Sequence, residues 1–255
     1  MLTTHRPSAM PADTAVPHAV PLQAERSVAE RIAQVLSLLQ ERVVLRRRVL
    51  RAGEAVYRAG ARFDSLHILH AGFFKIIDRA PDGREQVVRF HFKGDWLGFD
   101  GIADGQHGCD AIAMDTGEVW SVRYDLLLQA CAEHPPLLTV LHEAMSREIA
   151  RDRESLLSLC TLPADARVAD FLRHWAEALG QRGLRSDQIT LRMTRAEIGN
   201  YLGMTLETVS RALSRLAKAG LIGFTERGRR DICIPEVGAL VAFVQRSFSS
   251  APAEA

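Results

Sequence analysis

The chain has 255 residues, 47% of them hydrophobic and 25% charged, with a formal net charge of +1. That length leaves room for two domains, and the balance is that of an ordinary soluble chain rather than a disordered polyelectrolyte. No run reaches the roughly 18 apolar residues of a membrane span, and Met1 to Ser27 lacks an apolar signal core. The four cysteines, Cys109, Cys131, Cys160 and Cys233, are scattered and read as reduced thiols, so a cytoplasmic protein without a disulfide framework is expected.

Residues 1–26 are rich in Ala, Pro, Thr and His without periodicity, which predicts a disordered tail. A short amphipathic helix follows, with Val28, Ile32, Val35, Leu36 and Leu39 on one side. From Val43 to about Val122 short β-type runs are divided by Gly53, Gly60, Gly72, Gly83, Gly94 and Gly98, the pattern of an all-β unit. Asp64 to Ile77 and Gln86 to Phe92 give the clearest strands, and Pro81-Asp82-Gly83 predicts a hairpin turn.

Helix is expected after Tyr124. Between Pro136 and Pro163 one uninterrupted pattern runs through Leu138, His142, Met145, Ile149, Asp152, Leu156 and Leu159, alternating steps of four and three. That spacing is a coiled-coil seam, although a helix packed on its own β-unit gives a related pattern. In a parallel two-fold seam Asp152 would meet its own copy, unless it swung out to Arg151 or Arg153 of the partner. Leu162-Pro163 breaks the helix and makes a natural hinge.

The charge is uneven. Between Ala164 and Arg230 twelve Lys or Arg face seven Asp or Glu, an excess of five (12 − 7), which suits a nucleic-acid-binding segment. Within it, Thr194-Arg195-Ala196-Glu197 is a capping box. Ile198 and Leu202 share the next helical face, and Gly203 supplies a sharp turn. A second helix opens near Thr205 and buries Val209, Leu213 and Leu216. Its opposite face carries Glu207, Ser210, Arg211 and Ser214 and no apolar residue. Arg211 suits the O6 and N7 of a guanine, Glu207 the N4 amine of a cytosine, and Ser210 either bonding role at a neighbouring base. Arg195, Lys218 and the arginines of an expected wing, Arg227, Arg229 and Arg230, are suited to phosphates. A solvated amphipathic helix followed by a turn is the plainer reading of the same residues.

This stretch resembles the winged helix of the Crp/Fnr family of bacterial transcription regulators, and the likeness extends from about Val43 to Val244. Glu207-Thr208-Val209-Ser210-Arg211 is similar to the Glu-x-x-Ser-Arg of the Fnr branch. The cyclic-AMP receptor branch has Arg-Glu-x-x-Gly-Arg there, where this chain has Leu206 and Ser210. The resemblance implies an α+β architecture: a β-roll, cyclic-nucleotide-binding-like sensor domain over 27–134, a dimerisation helix over 135–163 and a winged helix-turn-helix over 164–255. It also implies a homodimer on double-stranded DNA, a TTGAT-N4-ATCAA palindrome, and RNA polymerase as a partner. No metal-ligand motif, phosphate loop or nucleophile elbow argues for an enzyme.

The family's usual effectors are harder to accommodate. An Fnr-type iron–sulfur cluster requires cysteines near the N-terminus, yet none precedes Cys109, and Trp120 stands near the expected β-domain ligand. No cluster is expected. Cyclic nucleotide binding requires a Gly-Glu pair and a later Arg, whereas Gly94-Asp95-Trp96-Leu97-Gly98 has no Glu and His107 to Thr116 no Arg. Haem stays open, with His107 and Cys109 as ligand types and His67, His70 and His91 in or near strands. A thiol switch at Cys160, or no effector, stays open too. A binding module acting through protein partners is the competing class, for which Glu207, Ser210 and Arg211 would be superfluous.

Overall fold

Glycines with left-handed backbone decide where the first half of the chain turns. The computed structural model describes residues 27–225 and 228–249, so the expected tail lies outside the described residues. The order is α1 (Val28–Arg42), β1 (Arg46–Leu50), β2 (Ala55–Tyr57), β3 (Ser65–Ala71), β4 (Phe74–Arg79), β5 (Glu85–His91), β6 (Trp96–Leu97), α2 (Gly101–Asp104), β7 (Asp110–Ala113) and β8 (Gly117–Arg123). Helices α3 (Tyr124–Glu133), α4 (Pro135–Thr161) and α5 (Ala164–Gln181) follow. The rest is β9 (Gln188–Thr190), α6 (Arg195–Leu202), α7 (Leu206–Lys218), β10 (Gly223–Thr225), β11 (Gly228–Cys233) and α8 (Val237–Ser249).

The run Asp64 to Ile77, which reads as one strand, is two strands in different sheets. β3 lies in the antiparallel sheet β1-β8-β3-β6 and β4 in the antiparallel sheet β2-β7-β4-β5. Gly72 makes the crossing at φ 86°, and a Cβ there would meet Gly117 Cα at 2.6 Å. Between the sheets lie Leu50, Val56, Leu69, Phe74, Ile76, Leu97 and Val119. The expected hairpin turn joins β4 to β5, with Gly83 N donating to Ala80 O at 2.8 Å.

Helix α1 starts on a capping box, Ser27 with Glu30, and buries Leu36 and Leu39 against Leu66, Ile68, Trp96 and Trp120. Its Ile32 presses on Gly94, where a Cβ would lie 2.5 Å from the isoleucine side chain.

Helix α4 has two apolar faces. Leu137, Leu141 and Ala144 pack on the β-domain, so the reading as a helix seated on its own domain holds for that face. One residue on, Leu138, Met145, Ile149 and Leu156 are exposed, with His142; Leu159 is half-buried. Asp152 lies on the same stripe and has a partner within the chain. Its carboxylate is paired with the largely buried Arg89 of β5. The physical reason is that a buried guanidinium needs a counter-charge, which Asp152 reaches from the edge of the helix. The helix stops at Leu162, which turns extended (ψ 140°) before Pro163.

That break is a corner in the chain and not a boundary in the packing. Phe90 of β5 and Phe92, just past it, share one hydrophobic cluster with Phe171 and Trp175 of α5 and with half-buried Tyr201 of α6. The Trp175 ring lies 4.8 Å from Phe92 and 5.5 Å from Phe90. Polar contacts flank this seat. The Asn200 side chain accepts from Val87 N at 2.5 Å and donates to Glu85 O at 2.8 Å, and Lys75 pairs with Glu197. Asp95 accepts from Arg151 of α4 at 3.1 Å and from Arg182, just past α5, at 2.8 Å. Burial raises its carboxyl pKa, but Arg151 and Arg182, together with His91 and the Phe92 N–H, outweigh burial and hold it below the usual range.

Three imidazoles are kept neutral by this packing. Burial, first, and then the neighbouring His107 and Arg48 lower His67 to about 4. Burial lowers His91 to about 3, with Arg89, Arg151 and Arg182 acting in the same direction and Asp95 against them. Burial, Arg151 and Arg173 lower His174 to about 4, opposed by Asp170 and Asp95. Each folded value lies below that of an unfolded histidine, so their stabilisation is complete above about pH 6.5 and is lost as pH falls toward 4. Each contributes a slope of up to about 1.4 kcal/mol per pH unit in that window. Urea midpoints should be level from pH 7.5 to 6.5 and drop steeply below 6; a level profile down to pH 5 would contradict this.

Candidate nucleic-acid interface

Helix α6 is set by its cap. Thr194 Oγ1 accepts from Glu197 N at 3.1 Å, and Glu197 Oε2 accepts from Thr194 N at 2.7 Å. Ile198 and Leu202 are buried, and Gly203 ends the helix in the left-handed conformation (φ 63°). The turn is closer than its glycine alone suggests, because Gly199 also takes part. Met204 N donates to Gly199 O at 2.9 Å, and a Cβ on Gly199 would meet Met204 O at 2.5 Å. Helix propensity alone would make Gly199→Ala stabilising by about 1 kcal/mol. The backbone clash reverses the sign, to an expected loss of about 1–3 kcal/mol. Chemical denaturation of the variant checks this, and a gain in stability would show the turn to be looser.

Helix α7 begins at Thr205, whose hydroxyl accepts from Thr208 N at 3.3 Å. Val209, Ala212, Leu213 and Leu216 are buried, so the helix is fixed from behind. Glu207, Arg211 and Ser214 stand exposed on the outer face, with Ser210 half-buried beside them. The Glu207 carboxyl is held below its usual pKa by its own backbone N–H and the Thr205 hydroxyl, and it is an acceptor at neutral pH. Among the described residues no carboxylate lies within 4.0 Å of Arg211, whereas Arg215 is clamped by Asp165, its Nε donating at 2.6 Å. One face of α7 thus offers an anionic acceptor, a hydroxyl and an uncommitted guanidinium in successive positions, the set that reads base edges.

The outer cations are less uniform. Lys218 is exposed at the end of α7 and Arg230 on β11. Arg195, at the start of α6, is half-buried and makes interactions within the chain. Strands β10 and β11 of the three-stranded sheet β10-β11-β9 flank the position of the expected wing. Arg227 and the side chain of Arg229 lie outside the described residues. Sequence patterning did not single out Gly199, Arg215, or the contacts of Lys75, Asn200 and Arg182 that seat this unit. A second glycine four residues before Gly203 is the only local signal among them.

The residues present do not fit an iron–sulfur cluster. Cys109 precedes β7, while Cys131 is buried in α3; Cys160 is exposed late in α4 and Cys233 ends β11. Among the described residues no three His, Cys, Asp or Glu side chains form a metal-holding group. Haem at His107 and Cys109 does not fit either. His107 is buried with its ring stacked 3.7 Å from that of Tyr57, which leaves no slot for a porphyrin. Its Nδ1 lies 3.6 Å from Asp100, to which Cys109 Sγ donates at 3.4 Å. Burial and the Asp100 charge push that thiol pKa up, away from the thiolate a metal takes.

A capped helix, a glycine turn and a second helix with a polar outer face, seated on a two-sheet β-domain, are the parts of a helix-turn-helix DNA-binding transcription regulator. Residues 166–243 match the Crp-like helix-turn-helix domain and residues 47–134 the cyclic nucleotide-binding domain. The chain belongs to the Crp/Fnr family. It is 36% identical over 180 residues to electron transport regulator A of Shewanella oneidensis, covering 71% of this chain and 72% of that protein. It is 35% identical over 182 residues to the fumarate and nitrate reduction regulatory protein of Vibrio cholerae, covering 71% and 73%. The structure of FixK2 from Bradyrhizobium japonicum superposes with a TM-score of 0.70 at 29% identity, over 78% of this chain and 97% of that one. No helix among the described residues is long and apolar enough to cross a membrane.

Proposed function

We propose that the chain is a cytoplasmic homodimeric regulator that reads a TTGAT-N4-ATCAA palindrome, one α7 per half-site. The observation that carries this is the outer face of α7, where Glu207, Ser210 and Arg211 project from a helix buried on its other side. Arg211 reads a guanine, Glu207 a cytosine and Ser210 the adjacent base, while Arg195, Lys218, Arg227, Arg229 and Arg230 hold phosphates. Two copies meet through the exposed α4 stripe of Leu138, His142, Met145, Ile149, Leu156 and Leu159, with Asp152 on its flank held by Arg89. In this reading residues 27–134 sense, 135–163 dimerise and 164–255 bind DNA and present a surface to RNA polymerase. Operation without an iron–sulfur cluster is supported by the dispersal of the cysteines.

Fluorescence anisotropy of the full chain on the palindrome and on a scrambled duplex at one salt concentration tests the reading. Tighter binding to the palindrome is expected by at least about 10³-fold; equal affinities would overturn it. Sedimentation of wild type and of an Ile149→Glu, Leu156→Glu variant tests the seam, the variant being expected to run as a monomer.

A further inference from the structure

A crevice of about 390 Å³ opens between α1 and the outer face of the β1-β8-β3 sheet, clear of the DNA-reading face. That volume lies in the range of small-molecule sites. Its α1 wall is apolar over Ala29, Ile32, Ala33 and Leu36 and turns polar at Ser37 and Gln40. At its floor the indole of Trp120, 3% exposed, lies between His70 of β3 and Arg47 of β1. His70 lies parallel to Trp120 at 4.3 Å and 14°, and the Arg47 guanidinium stands 4.6 Å from the indole centroid.

The charges at the mouth are uneven. Arg47 and Lys93 are exposed, and among the described residues neither has a carboxylate within 4.0 Å. The carboxylate lining the crevice, Glu118, is already engaged: it accepts from Trp120 Nε1 at 2.7 Å and lies 3.3 Å from His70 Nδ1. At the back, the buried Arg182 side chain donates to Lys93 O at 2.7 Å, Ala178 O at 2.9 Å and Asp95 at 2.8 Å. It fixes the position of Lys93 through the backbone rather than offering itself to an occupant. A largely apolar wall, the edges of a His70–Trp120 stack and two cations without a carboxylate partner together suit a flat apolar body that carries one negative charge.

We propose that this crevice is a ligand site for a small planar aromatic carboxylate, its ring beside the His70–Trp120 stack and its carboxylate on Arg47 and Lys93. The site joins both halves of the chain, because Arg182 belongs to the end of α5 while α1, β3 and β8 belong to the β-domain. It stands independently of which DNA sequence α7 reads, since ligand binding is measured without DNA.

Calorimetry and quenching of tryptophan emission on the full chain, with benzoate, salicylate and indole-3-acetate as probes, test it. Saturable binding of at least one probe is expected, about tenfold or more tighter than that of its neutral amide. Arg47→Ala combined with Lys93→Ala should weaken it by about tenfold or more, and Ala29→Trp should abolish it by filling the crevice from the α1 wall. Both changes are at or near the surface, and Arg84→Ala, on the distant β4–β5 turn, controls for general loss of positive charge. Failure of all three probes to saturate by about 10 mM overturns the proposal, since so weak an interaction is under roughly 3 kcal/mol. Binding that survives Ala29→Trp, or inorganic phosphate binding as tightly as the aromatic acids, overturns it as well.

Discussion

Trp175→Ala is expected to lower the stability of the chain by about 3–5 kcal/mol, the usual loss on truncating a fully packed tryptophan. Its ring is 2% exposed and contacts Phe73, Phe92, Phe90 and Phe171, with the first three on the β-domain side. The cavity would open at the seat of the DNA-binding half, where collapse requires two elements to move together. The variant should therefore show a second effect: earlier cleavage by protease near Leu162-Pro163, where the chain turns between α4 and α5. Trp175→Phe, which keeps a ring among the others, should retain most of the stability and the wild-type cleavage pattern. Urea unfolding followed by circular dichroism measures the first effect and timed proteolysis the second. A loss below about 1 kcal/mol would mean that the cluster is not the join between the halves.

The parts legible in the sequence are those whose causes lie within a few residues of one another. The capping box, the apolar faces of α6 and α7 and the turn at Gly203 are set by local spacing. The length of α4 follows from two prolines and an unbroken period. The Asp64 to Ile77 run misled because alternation says that a segment is extended, not which sheet it joins. Only the contact of Gly72 with Gly117, brought in from β8, shows why the chain crosses between sheets there. The intrachain partner of Asp152 was hidden for a related reason. A heptad position predicts direction on a helix, and the guanidinium of Arg89 that captures it arrives on a strand distant in sequence. The seat of the second half on the first had no sequence signal at all, since Phe90, Phe92 and Trp175 come together only in the folded chain. Ligand types misled in the same way: His107 and Cys109 suit haem by chemistry, and only their common packing around Asp100 and Tyr57 shows the space to be filled.

Arg211→Ala is expected to weaken binding to the TTGAT palindrome by about 1–3 kcal/mol and to relax the preference at one guanine of each half-site. The expectation rests on contrast within α7. Arg211 is exposed with no carboxylate within 4.0 Å among the described residues, and a guanine edge can take its two parallel hydrogen bonds. Arg215, one turn on, is tied to Asp165 and would have to give up that pair before touching DNA. Arg215→Ala should thus cost less and leave base preference unchanged. Lys218→Ala should weaken palindrome and scrambled duplex alike and reduce the salt slope by about one. Competition anisotropy with duplexes altered base by base separates these outcomes. For Arg211→Ala the penalty for replacing the read guanine should shrink toward zero, while penalties elsewhere in the half-site persist. A variant that binds more weakly yet keeps the full penalty at every base pair would show Arg211 to be a phosphate contact, and base reading by α7 would then have to come from Glu207 and Ser210.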